Sequence, residues 1–313
     1  MSRRCAITKS PKTAKRWSFA TGTSAHPAEV NTLEAGKWTT LTETNPQVRE
    51  WKLGQVKEIS WKSSVDGRTI YGVLVLPAGY VKGHKYKTLV QFHGGPEGDW
   101  ESGWLSSWHD WAQMMASHGF AVLLPNPRGS DGQGTAFTEA NFQDWGGADF
   151  KDEMDGADYV VAQGIADKDK MVAGGWSYGG FMTSWTITHT NRFKAAIIGA
   201  GVTDLVSMAT TTDIAPSFLD GYFGPFATHR EMYRDHSPVT YLSDCVTPVL
   251  VVHGDADTRV PTFQGEEFYN GLRYMGRDAE MIRFPREPHV FAERDHQEAL
   301  LTHVLDWFQS HLK

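Results

Sequence analysis

Cysteine is scarce in this chain of 313 residues, which holds only Cys5 and Cys245. Two such thiols cannot build a disulfide framework and read as independent groups. Long apolar runs are missing too: none approaches the ~20 residues that a membrane-spanning helix needs. The N-terminus, Met1-Ser2-Arg3-Arg4-Cys5-Ala6-Ile7, has a basic start with no apolar stretch behind it, so it is not a secretory signal. Nor is there an excess of positive charge, since 30 Lys and Arg stand against 37 Asp and Glu for a net charge of −7. That balance argues against nucleic acid or an anionic membrane as the main partner. The 31 glycines and 14 prolines fall well short of low-complexity composition. Despite 13 histidines, no His-Glu-x-x-His or Cys-x-x-Cys occurs, so neither a metal nor another cofactor is expected. Together these absences lead to the expectation of a soluble, cytoplasmic protein.

Hydrophobic residues make up 40% of the chain, enough for a large core. Length alone suggests about two domains, although α/β folds exceed ~250 residues as one unit. Residues 1–30 are rich in Ser, Thr, Lys and Arg and read as loop or tail; Ala35-Gly36-Lys37 is then a turn into a short β segment at Trp38. From residue 55 the signals become regular. Residues 56–61 and 69–76 alternate around the Asp66-Gly67 turn and predict an antiparallel hairpin. Short, nearly continuous apolar runs follow at 88–92, 120–124, 171–173, 195–198, 248–252 and 280–284, as in parallel strands buried on both faces. Helical spacing joins Trp104, Trp108, Trp111 and Met115, then Phe150, Met154, Ala157 and Val161, then Leu301, Val304, Leu305, Phe308 and Leu312. Strands alternating with helices predict an α/β fold with a mostly parallel central sheet and helices on both faces. The division expected is an N-terminal extension at 1–50 and one domain at 51–313.

The strongest chemical signal is Gly175-Trp176-Ser177-Tyr178-Gly179, set between a predicted strand and a helical stretch. A Gly-x-Ser-x-Gly turn in that setting is a nucleophile elbow, whose glycines let strand and helix approach closely. Ser177 then sits at a helix N-terminus, where the dipole favours negative charge. A nucleophilic serine needs a base, and the base needs an acid to orient it. In this fold they follow in the order Ser, Asp or Glu, His. The loop after 248–252 offers Asp255 and Asp257, the latter further along where it can turn back towards the base. The loop after 280–284 offers His289 as its only histidine. His253 and His93 end strands and read as structural, while His296, His303 and His311 suit solvated or capping roles near the terminal helix.

Acyl transfer also needs donors for the developing oxyanion. The Tyr178 N–H, just after the nucleophile, is one; the other is expected from His93-Gly94-Gly95-Pro96, with Gly94 as its donor. The loop 125–134 lacks Gly-Lys-Ser/Thr and reads as structural, with Arg128 available for a buried ion pair. The acidic residues between Asp144 and Asp158 read as the solvated face of a helix. Helical spacing assigns Trp100, Trp104, Trp108 and Trp111 to packing by default, with one or two expected to reach the cleft. Pocket walls are expected from 200–235, where Phe218, Tyr222 and Phe223 lie.

These residues resemble the catalytic domain of the prolyl oligopeptidase family of serine peptidases, in its acylaminoacyl-peptidase and dipeptidyl-peptidase branches. The resemblance rests on His93-Gly94-Gly95-Pro96, Asn126-Pro127-Arg128-Gly129-Ser130, Asp144-Trp145-Gly146-Gly147, the elbow through Gly180, the loop from His253 to Pro261, and His289. It implies an α/β-hydrolase fold with Ser177 as nucleophile, Asp257 rather than Asp255 as acid, and His289 as base. It also implies that Val202 and Val260 border the substrate pocket. Where other branches have a tyrosine that helps the oxyanion, this chain has His93, which leaves the backbone N–H groups as donors. Family members carry a β-propeller before the hydrolase, whereas about 50 residues precede it here. The chain thus resembles a truncated member, or one that has lost its propeller, with the segment around Trp38 like the end of a last blade. Dipeptidyl branches hold the substrate amine with propeller acids, so strict dipeptidyl specificity is not expected. Family members often pair, so a homodimer is one assembly the resemblance allows, and the oligomeric state stays open. The resulting expectation is a peptidase acting on short or N-blocked peptides. A carboxylesterase acting on small acyl esters is the alternative, and a complete triad speaks against a non-catalytic binding domain.

Overall fold

The alternating segments beyond residue 55 pair as expected in the computed structural model, which describes residues 16–313. Cys5 and the predicted tail over 1–15 lie outside the described residues. Residues 16–30, expected as loop, are instead strands. β1 (Arg16–Thr23), β2 (His26–Glu34) and β3 (Lys37–Thr40) form an antiparallel sheet in that order. The reason is an alternation in which Trp17 and Phe19 share a face: Trp17 pairs with Leu33, Leu33 with Trp38, and the Phe19 and Trp38 rings lie 5.5 Å apart.

The second sheet holds β4 (Val56–Lys62), β5 (Thr69–Val75), β6 (Tyr86–Phe92), β7 (Ala121–Asn126), β8 (Ala166–Trp176), β9 (Ala196–Gly199), β10 (Val249–Gly254) and β11 (Ala279–Phe284). Their order is β11-β10-β9-β8-β6-β7-β5-β4. The β4–β5 hairpin and the β5–β7 pair are antiparallel; β6 to β11 run parallel. The order reverses between β6 and β8, where Phe92 pairs with Gly175. Ligands of open α/β sheets bind at such a switch point, beyond the carboxyl ends of the strands.

Helices cover both faces. They are α1 (Ala112–Ser117), α2 (Thr135–Thr138), α3 (Ala148–Ala162), α4 (Tyr178–His189), α5 (Leu205–Thr211), α6 (Ser217–Phe223), α7 (Phe226–Asp235), α8 (Phe263–Tyr274) and α9 (Arg294–Ser310). Trp111, just before α1, and Met115 within it share one core with Val304 and Phe308 of α9. Val160 of α3, Phe181 and Met182 of α4 and Leu205 of α5 share another.

Two helical expectations need correction. The tryptophan series does not lie on one helix, because α1 begins only at Ala112. Before it the Ser107 side chain accepts the N–H groups of His109 and Asp110, a local turn that competes with helix. Trp108 stacks instead on Phe291, at 5.3 Å and nearly parallel. The acidic side of α3 is not solvated either, since Asp149, Asp152 and Glu153 are buried. Partners distant in sequence account for two of them. Arg128 holds Asp152 through Nε at 2.8 Å and a second nitrogen at 2.9 Å, and the Tyr178 hydroxyl donates to Asp149 at 2.6 Å.

Candidate active site

Ser177 stands between the end of β8 and the first turn of α4, with φ 64° and ψ −120°. A side chain in that region costs about 1–3 kcal/mol and persists only where its surroundings enforce it. Here the enforcement comes from close packing. A Cβ on Gly175 would meet the Phe92 carbonyl at 2.6 Å, and one on Gly179 would meet it at 2.3 Å. The two glycines thus let the elbow press against the end of β6. Pairing of β6 with β8 also sets Gly94 beside the serine: a Cβ there would lie 3.6 Å from that of Ser177. Among the described residues, neither the Gly94 N–H nor the Tyr178 N–H has a protein acceptor. The latter is an opening amide of α4, which no intrahelical bond can satisfy.

The loops after β10 and β11 bring Asp257 and His289 to the same place. His289 Nε2 lies 2.9 Å from Ser177 Oγ, and its Nδ1 lies 2.7 Å from Asp257 Oδ2. The carboxylate selects the tautomer with hydrogen on Nδ1, so that Nε2 accepts the serine hydroxyl. The other oxygen of Asp257 accepts the N–H groups of Arg259 and Val260 at 3.0 and 2.9 Å. Burial pushes the Asp257 carboxyl up, but hydrogen bonds from His253 and His289, the His289 charge and the Val260 N–H outweigh it and hold it down to about 2. Asp255 faces elsewhere and pairs with Arg283 at 2.7 Å.

One further residue ties these loops together. Glu287, buried, accepts the N–H groups of Ala292 and Glu293 and lies 2.8 Å from His296 Nδ1. Its own carbonyl accepts the Ala256 N–H at 3.0 Å, which links the His289 loop to the Asp257 loop. Ligand atoms of Glu287, Glu293 and His296 approach within 4.8 Å, but Arg286 already occupies both oxygens of Glu293. His296 therefore has a buried carboxylate partner rather than the solvated or capping role expected.

A cleft of about 590 Å³ opens beside Ser177 and His289. Val202 and Val260 line it as expected, joined by Trp145, Met208, Ile214, Phe218 and Leu219. Of the aromatic residues in 200–235, Phe218 faces the cleft, while Tyr222 and Phe223 pack around Trp145. Asp213 and Arg259 stand at its rim, 2.6 Å apart. Sequence reasoning took Trp145 only as part of a resemblance. The signal was the glycine doublet behind it: a Cβ on Gly146, at φ +82°, would lie 2.3 Å from the Trp185 ring.

Trp100 and Trp104 line a second cavity, of about 360 Å³, on the side of Gly94 and His93. The His93 ring turns away from Ser177, with Nε2 2.9 Å from Ser130 Oγ and Nδ1 2.8 Å from the Gly94 carbonyl. Burial lowers its pKa to about 4, so it is neutral. His253, wholly buried, donates to the Val260 carbonyl at 2.8 Å.

The strand order and these loops define an α/β hydrolase with a serine–histidine–aspartate arrangement at its switch point. Comparison with known proteins narrows the class. The profile of the prolyl oligopeptidase family matches residues 106–313. An uncharacterized peptidase of Bacillus subtilis is 32% identical over 293 residues, covering 91% of this chain and 44% of that protein. Dipeptidyl-peptidase 5 of Schizosaccharomyces pombe is 31% identical, covering 81% of this chain and 37% of that one. The solved acylaminoacyl peptidase of Pyrococcus horikoshii superposes with a TM-score of 0.87 at 27% identity, over 96% of this chain and 49% of that one. The puromycin-hydrolyzing peptidase of Mycobacterium tuberculosis does so with 0.85 at 26% identity, over 96% and 46%. The chain belongs to the prolyl oligopeptidase family. It spans less than half the length of each of these relatives. No described helix is long and apolar enough to cross a membrane.

Proposed function

We propose that the protein is a serine peptidase that cleaves short or N-blocked peptides through an acyl-enzyme at Ser177, with residues 51–313 as its hydrolase domain. The observation that carries this reading is the continuous contact from Ser177 Oγ to His289 Nε2 at 2.9 Å and from His289 Nδ1 to Asp257 at 2.7 Å. His289 takes the serine proton as Oγ attacks the scissile carbonyl. The N–H groups of Gly94 and Tyr178 then receive the oxyanion. The same His289 proton passes to the leaving amine, and water repeats the cycle to release the acid. Asp257 stays ionised throughout and stabilises the imidazolium. The apolar walls of Val202, Phe218, Val260 and Trp145 suit a large apolar side chain on the acyl side. Relatives described as acylaminoacyl peptidase and dipeptidyl-peptidase support peptide substrates.

A panel of acylated alanyl, prolyl and phenylalanyl p-nitroanilides, run beside p-nitrophenyl acetate and butyrate, tests the reading. Turnover of the anilides is expected, with the phenylalanyl compound preferred. Turnover of the esters alone would make the protein a carboxylesterase. Ser177→Ala should lower kcat by about 10⁵-fold or more without loss of fold, and retained turnover would remove the nucleophile assignment.

A further inference from the structure

The buried acidic side of α3 lies directly behind the turn that carries Ser177. Asp149 is fully buried, and its Oδ2 accepts the Tyr178 hydroxyl at 2.6 Å. That length is typical of a charge-assisted O–H···O⁻ bond. Oδ1 accepts the Phe150 N–H at 2.8 Å. Tyr178 is itself 3% exposed, and it is held at both ends: its hydroxyl by Asp149 and its backbone by the elbow. Its N–H is one of the two donors that face the acyl oxygen in the function proposed above, on which this inference rests.

We propose that Asp149 is a positioning residue for hydrolysis: by gripping the Tyr178 hydroxyl it fixes the first turn of α4 and aims the Tyr178 N–H at the oxyanion. A donor displaced by ~1 Å forfeits much of its value in the transition state, so a distant grip on the same residue reaches the rate.

The surroundings give this grip a pH dependence. The groups facing Asp149 are Glu153 and Asp152 on α3, Asp144 on the segment before it and Tyr178 on α4. Arg128 is taken up by Asp152. One oxygen of Glu153 has no partner among the described residues. With acids around it, Asp149 gives up its proton late. Burial pushes it up, the Tyr178 and Phe150 hydrogen bonds oppose that, and Asp144 and Asp152 add to the rise, to about 7. Protonation replaces the charge-assisted bond with a weaker neutral one, so the grip loosens as pH falls through that value. That loosening adds a partial step to the rate profile, its height set by what the grip is worth.

The test uses the full chain and its Asp149→Asn, Tyr178→Phe and doubly substituted variants, with p-nitrophenyl butyrate between pH 5 and 9. Each single substitution is expected to lower kcat by about 10-fold with KM within about 2-fold. Log kcat/KM of the parent should show an extra fall of up to about 10-fold as pH drops through about 7, and this step should be missing from each variant. The double variant should lose no more than either single one, because the two side chains act as one unit. A merely structural role would lower the melting temperature and leave parent and variants with rate profiles of the same shape. A parent profile without the extra fall, unchanged kcat in Asp149→Asn, or multiplied losses in the double variant would each overturn the proposal. Failure of the hydrolase reading looks different: the parent would then neither turn over the ester nor be labelled at Ser177 by a fluorophosphonate.

Discussion

Two aspartates flank the elbow, one in the loop after β10 and one in the first turn of α3. Both are buried, with relative exposures of 5% for Asp257 and 0% for Asp149, the latter the more deeply set. Their acidities differ greatly, at about 2 and about 7. Asp257 faces two histidines and a pair of backbone N–H groups, which stabilise its charged form. Asp149 faces a phenol, one N–H and other carboxylates. Burial pushes both up; the partners of Asp257 outweigh it and those of Asp149 do not, and that decides which buried acid stays charged.

The largest test of that contrast is Asp257→Asn, which should cost about 10⁴-fold in kcat by stabilising the wrong His289 tautomer. Asp255→Asn, two residues away in an exposed ion pair, should stay within about 3-fold of the parent. The reverse ranking in steady-state kinetics would exchange the two roles.

The contrast extends to Asp152, the acidic neighbour that does have a cation. Arg128→Met leaves that carboxylate buried and unpaired, and should cost about 3–5 kcal/mol in urea unfolding. A cost near zero would mean that Asp152 is protonated without its partner.

Stability against pH should separate the pair by sign. Asp149 has its pKa raised above the ordinary 3.8, so its contribution is full below about pH 4 and is lost as pH rises through about 7. Asp257 has its pKa lowered, so its contribution is full above about pH 4 and is lost as pH falls through about 2. The neutral-side loss amounts to about 3–4 kcal/mol and should vanish in Asp149→Asn; the acid-side loss is nearer ~2 kcal/mol and should vanish in Asp257→Asn. Urea midpoints measured from about pH 1.5 to 9 check both, and parallel curves for parent and Asp149→Asn would refute the first.

The parts legible in the sequence are those whose cause is local. Each predicted run from 88–92 onward became a strand; those up to 248–252 are buried on both faces and announce themselves as apolar segments, whereas 280–284 forms the edge strand with Glu280 and Arg283 exposed. The elbow was legible because Gly175 and Gly179 are demanded by one turn. What escaped depends on partners far along the chain. The α3 carboxylates looked solvated because Arg128 and Tyr178, which satisfy two of them, lie 24 and 29 residues away. The tryptophans have helical spacing, yet Trp108 is placed by Phe291, and Ser107 turns the chain locally. In β1 the signal was present, as Trp17 and Phe19 alternate, but it was masked by the polar residues around them.

The order in which the strand ends supply the site has a consequence for synthesis. Ser177 leaves the ribosome 112 residues ahead of His289. At about 5–20 residues per second, that leaves the serine without its base for roughly 6–22 s. If Ser177 is the nucleophile proposed above, the growing chain carries it without the imidazole that would take its proton. On the proposed function, the loop after the last strand completes the site only once the sheet is nearly whole.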